Sequence, residues 1–116
     1  MDLVARVLPP VTEEMLTAGI LHAQEHLFSV GVTGWQEAIL GSYGGYPDAS
    51  AAYRSAAEAG TLKGRATGAL WVPRDTTVET VPDLVQEFVE RRAANAAAGF
   101  STTSAKIMVD WVPENY

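Results

Sequence analysis

The chain has no cysteine in its 116 residues, which excludes disulfides, thiolate catalysis and Cys-ligated zinc. Basic residues are scarce: eight Lys plus Arg stand against fourteen Asp plus Glu, for a net charge of -6. No Lys/Arg cluster could follow a phosphate backbone, so a nucleic-acid partner is not expected. No apolar run approaches the roughly 20 residues that span a bilayer. The opening Met1-Asp2-Leu3-Val4-Ala5-Arg6 lacks the basic and apolar regions of a secretory leader. These absences predict a cytoplasmic chain with no membrane partner. Apolar residues, by contrast, make up 47% and charged residues 19%, the composition of a globular chain. The length allows one modest domain with its own core.

Three helical patterns alternate with three strand patterns. Thr12 is a good N-cap, Glu13 and Glu14 suit the positive end of a helix dipole, and Gly31 can stop the helix in the left-handed region. Leu16, Ile20, Ala23, Leu27 and Val30 form its apolar stripe. Val32 to Glu37 reads as a short strand, and Gly41-Ser42-Tyr43-Gly44-Gly45-Tyr46-Pro47 as a loop too flexible for regular structure. A second, alanine-rich helix runs from about Asp48 to Ala59, with Ala49, Ala52, Tyr53 and Ala56 on one face and Gly60 at its end. Lys63 to Val72 reads as a second strand halted by Pro73. Thr80-Val81-Pro82-Asp83 opens a third helix in a capping-box variant with an early proline. That helix turns Leu84, Val85, Phe88 and Val89 inward, with Arg92 in the same stripe, and ends at Gly99. The third strand is Ala105-Lys106-Ile107-Met108-Val109-Asp110. Strand starts spaced by the 30-plus residues of a βαβ unit predict an α/β fold of parallel strands with right-handed crossovers.

Several constellations could carry chemistry. Period-2 alternation puts Lys106, Met108 and Asp110 on one face of the last strand. A lysine and an aspartate on one face of an apolar strand are costly to bury without partners. His22-Ala23-Gln24-Glu25-His26 matches the H-x-x-E-H pattern of a zinc peptidase group, two histidines on one helix face with a glutamate as base. The stripe geometry turns Glu25 away from the core and leaves both histidines on its flank, with no third ligand in view. The Gly41 to Tyr46 segment lacks the lysine and the spacing of a phosphate cradle. Trp35, Gln36 and Glu37 either line the mouth of a site or pack a strand end.

Four patches recur in order: Leu8 to Glu14, Gly31 to Ala38, Ala59 to Arg65, and Lys106-Ile107-Met108-Val109-Asp110. Together they resemble the interior of a metal-dependent amidohydrolase, from the branch that includes N-substituted formamide deformylases. The resemblance covers nearly the whole chain. It implies that residues 1–116 are a single partial segment of a (β/α)8 TIM barrel, contributing about three parallel strands and three helices. It further implies hydrolysis of amide-type C–N bonds in a small-molecule substrate, using a divalent metal, zinc by preference. Lys106 would then be the fourth-strand lysine, which in many members is carboxylated and bridges two metals. Burial favours the neutral amine of a lysine, which can take up carbon dioxide and present a carbamate to metal.

The chain departs from the family in two ways. Trp111 stands where the family continues with glycine after Asp110. The family's His-x-His pair, its later histidines and its final-strand aspartate are not in these residues. The expectation is therefore an incomplete barrel segment that is inactive in isolation, holds no metal tightly, and associates with itself through open edges and an apolar face carrying Trp35, Met108 and Trp111. Two rivals are a stand-alone α/β binding or assembly module and a small zinc peptidase built on His22 and His26.

Overall fold

The computed structural model describes Val7 and residues 9–109. The first helix, α1 (Glu13–Ser29), starts where the Thr12 side chain accepts the Met15 N–H at 3.3 Å. It ends as expected, with Gly31 at φ 82° and the Val32 N–H returning to Leu27 O at 2.9 Å. Its inner face is Leu16, Ile20, Gln24 and Leu27, whereas Ala23 and Val30 are exposed. The predicted stripe was thus rotated, because a glutamine holds its centre.

The strand β1 (Gly34–Leu40) starts two residues later and ends three residues later than the sequence pattern suggested. After it, α2 (Ser50–Glu58) buries Ala52, Tyr53 and Ala56. Asp48 caps its start, accepting the Ser50 N–H at 2.9 Å and the Ser50 hydroxyl at 2.7 Å, the local turn that short acidic side chains make with the backbone two residues on. Then come β2 (Arg65–Trp71), α3 (Val81–Ala97) and β3 (Ser101–Lys106). Thr80 does not cap α3. Its hydroxyl turns back to Thr77, accepting from Thr77 N and donating to Thr77 O.

The three strands form one parallel sheet in the order β1-β2-β3. Leu40, Ala66 and Leu70 make the core with Tyr53 and Phe100, and Ile20 of α1, Phe88 of α3 and Leu62 pack against it. All three helices therefore cover the same face of the sheet. Each fully buried side chain of this size contributes roughly 1.5–3 kcal/mol. Tyr53 and Phe100 stack with ring centroids 4.6 Å apart and planes 7° from parallel.

The inner face of α3 is Leu84, Phe88, Arg91 and Asn95, while Val85 and Val89 are each more than half exposed. Polar anchors again displace part of the predicted apolar stripe. Asn95, fully buried, accepts from Arg54 of α2 at 2.9 Å and donates to Thr102 of β3 at 3.2 Å. Gln24 does the same work for α1: its amide oxygen takes the Lys63 and Gly64 N–H groups at 2.7 and 2.9 Å, and its amide nitrogen donates to Thr61 O. Among the described residues no helix is long and apolar enough to cross a membrane.

Candidate functional site at the strand ends

Parallel strands bring the loops that follow them to one end of the sheet, and ligands of α/β proteins bind at that carboxyl end. Here the end is built from residues 41–48 after β1, residues 72–80 after β2 and residues 107–109 after β3. The first loop is more ordered than its composition suggested. Gly44 and Gly45 both adopt positive φ, 59° and 86°, as a type I′ turn requires. Tyr43 and Tyr46 exchange both backbone hydrogen bonds across them, at 3.1 and 3.0 Å. Gly41 has a different role: a Cβ there would lie 2.7 Å from the Trp71 Cβ, so only glycine lets the loop leave β1 over that indole. Arg91 fixes the far side, bonding Asp48, Ser50 Oγ and the Leu40 carbonyl.

The position of Lys106 depends on one extra residue. Gly68 pairs with Thr102, but the next residue, Ala69, pairs with Ser104, so Thr103 is a bulge in β3. Residues paired across parallel strands share a face, and faces alternate along each strand. Thr102 and Ala105 therefore share the helix-covered face with Gly68 and Leu70. Ser104 and Lys106 share the opposite face with Ala69 and Trp71. Without the bulge, Lys106 would share the face of Thr102 beneath α3. Lys106 closes the ladder, its carbonyl accepting the Val72 N–H at 3.0 Å. It is half-buried, and among the described residues it makes no ion pair.

β3 thus ends at Lys106 and begins four residues before the predicted strand. Pro73 supplies no backbone donor, so nothing on β2 continues the pairing past Val72. Residues 107–109 form no strand, and the predicted same-face partnership of Lys106 with Asp110 lies outside the described residues, as does Trp111. Ile107, Met108 and Val109 instead line a cavity of about 420 Å³ with Trp71, Val72 and Arg74. Tyr43 tilts against Trp71, ring centroids 4.9 Å apart.

Trp35 and Glu37 do not line this end. They face α2, where Trp35 Nε1 donates to Tyr53 Oη at 3.2 Å and Tyr53 Oη donates to Glu37 Oε2 at 3.2 Å. Burial pushes the Tyr53 hydroxyl up to about 12, and the Glu37 carboxylate adds to the shift, against the Trp35 hydrogen bond. Gln36 points the other way and donates to Ser104 Oγ at 3.2 Å. The face that was expected to be apolar therefore carries the polar Gln36, Thr67, Ser104 and Lys106 beside the buried Ala69 and Trp71, and Trp35 is no part of it.

His22 and His26 are exposed on α1. Among the described residues no three His, Cys, Asp or Glu side chains come together to hold a metal ion. The donor set among the described residues does not fit a metal centre, and Lys106 alone could contribute one ligand where zinc takes about four. Sequence reading also missed Gln24, Arg91 and Asn95. Their signal was a polar residue inside an apolar stripe at helical spacing, as in Ile20–Gln24–Leu27. No protein-family model, no curated protein and no solved structure matches the chain.

Proposed function

We propose that the chain is a segment of a metal-dependent amidohydrolase that hydrolyses amide-type C–N bonds. Its three strands are an arc of a (β/α)8 barrel wall, and the chain is inactive by itself. The observation that carries this reading is the position of Lys106 at the carboxyl end of β3, on the sheet face opposite the helices. In a barrel that face is the lumen, and metal ligands project into it from strand ends. Consecutive parallel strands with every helix on one side also suit a barrel wall, where a doubly wound sheet would carry helices on both faces. Because the donors here do not complete a centre, the remaining ligands belong to other parts of the enzyme, and the chain supplies Lys106.

The DNA on either side of the coding sequence tests this directly. A His-x-His segment encoded upstream and further strand–helix units with histidines encoded downstream are the expected result. Non-coding sequence on both sides contradicts the proposal and favours the second reading, an α/β binding or assembly module without catalysis. That reading draws on the cavity at the strand ends, whose lining sets the apolar Trp71, Val72, Ile107 and Met108 beside Arg74 and Thr76 and holds no acid–base pair.

A further inference from the structure

The chain contains two histidines and no cysteine, and both histidines, His22 and His26, stand on α1 four residues apart. Gln24 fixes which way they face. Its buried side chain ties α1 to Thr61, Lys63 and Gly64, so position 24 points inward. At about 100° per residue, His22 and His26 each lie about 160° from that direction, on either side of it, and about 40° from each other. They therefore share the outermost ridge of the helix, one above the other, and both are exposed. Side chains at this spacing have Cβ atoms about 5–6 Å apart. Across that span two imidazole nitrogens can reach a single ion at about 2.0–2.1 Å each. The helix is held at both ends, by the Thr12 cap and by the turn at Gly31, so a rigid element presents the pair before any ion arrives. Ser29, next along the ridge, donates its hydroxyl to the His26 carbonyl at 2.7 Å. Exposed Glu25 adds negative charge beside the pair.

We propose that His22 and His26 form a surface site for one late first-row divalent ion, nickel(II) or copper(II), with water at its remaining positions. Imidazole suits these ions, and their tetragonal geometry lets a helix pair fill two adjacent positions. Two protein ligands make a site of capture rather than catalysis, in keeping with the lack of any group of three His, Cys, Asp or Glu donors among the described residues. Copper binds more tightly than nickel at such a site, and magnesium and calcium, which take oxygen ligands, are excluded. The pair exists only while α1 is helical, so the ion binds the folded chain better than the unfolded one and stabilises the fold. The site lies on the outer side of the helix layer, across the sheet from Lys106, and does not rest on the barrel reading.

Calorimetric titration of the untagged chain with nickel chloride near neutral pH, in parallel with thermal melts, tests the proposal. The expected result is one ion per chain and a Tm that rises with nickel concentration. His22→Ala and His26→Ala, both at exposed positions, leave the metal-free Tm in place. Each weakens binding by about tenfold or more, since losing a ligand costs at least as much as losing the partner behind one. A His26→Ala, Ala23→His double variant, also altered only at exposed positions, keeps two imidazoles but sets them about 100° apart around the helix. It binds no better than His26→Ala alone. Lys106→Ala binds like the parent, and acidification weakens binding because a protonated imidazole cannot ligate. The absence of saturable binding at millimolar nickel overturns the proposal, as does parent-strength binding by either single variant or by the rearranged one.

Discussion

The two faces of the sheet are built on different terms. On the helix-covered face, Leu40, Leu70 and Phe100 are almost completely buried, and every polar side chain buried among them has a partner. Across the sheet, Gln36 of β1 and Ser104 and Lys106 of β3 lie exposed or half-buried, flanking the buried Ala69 and Trp71 of β2. The difference comes from alternation along β1, β2 and β3, reset between Glu37 and Leu40 so that Leu40 falls on the covered side and at Thr103 so that a lysine falls on the open side. Stability is concentrated on the first face, and Lys106 stands on the second.

Substitutions that respect or violate this division separate the two faces. The largest effect is expected from Phe100→Ala, which empties a fully buried site and removes the stack on Tyr53. It should cost about 3–5 kcal/mol in urea denaturation, a large fraction of the roughly 5–15 kcal/mol that holds an ordinary domain folded. Gly68→Ala comes next. A methyl there meets Leu40 Cδ1 and Phe100 Cζ inside the core, and overpacking of this kind costs about 1–3 kcal/mol. Gln24→Leu, which leaves the Lys63 and Gly64 N–H groups without their acceptor, belongs in the same range.

A pH titration sharpens the comparison without a substitution. The Tyr53 hydroxyl is raised in the folded chain to about 12, from near 10 when unfolded. A raised acid is favoured in its neutral form by folding, so its stabilising contribution is complete below pH 10. That contribution is lost as pH rises from about 10 through about 12, by about 2 kcal/mol at the upper end. Denaturation midpoints measured across that window should fall, and Tyr53→Phe should remove the dependence on this group. The smallest effects are expected on the open face. Gln36→Ala, Ser104→Ala and Lys106→Ala should each stay within about 0.5 kcal/mol of the parent; a loss of 2 kcal/mol from Lys106→Ala would mean that the lysine is part of the packing.

The order of elements was legible because helix signals were strong at their ends: Thr12, Gly31, Gly60 and Gly99 all do what their residue types suggest. The strand bounds were not. Ser101-Thr102-Thr103-Ser104 is polar and looks like a connection, yet its outward hydroxyls suit an open face and Thr102 finds Asn95 beneath it. The apolar alternation after Lys106 imitates a strand that Pro73 leaves without a partner. Gly44-Gly45 looked like flexibility and is a tight turn, since two successive positive φ values are a requirement that glycine meets at no steric cost. At the candidate site, Lys106 could be picked out by its type and neighbours, but its face depends on the Thr103 bulge, which no periodicity reveals. The contact of Tyr43 and Arg74 with Met108 joins three loops distant in sequence and had no local signal.

Both β1 and β3 are edges of the described sheet, and beside β3 the α3 residues Val81, Val85 and Val89 leave an exposed apolar stripe. Unpaired edges flanked by such a stripe favour pairing with another chain. Sedimentation of the chain across a concentration series is the most direct test of an open barrel arc. The account predicts a mass that rises with concentration; a monodisperse monomer with a sharp thermal transition would contradict it, because the fold would then close its own core.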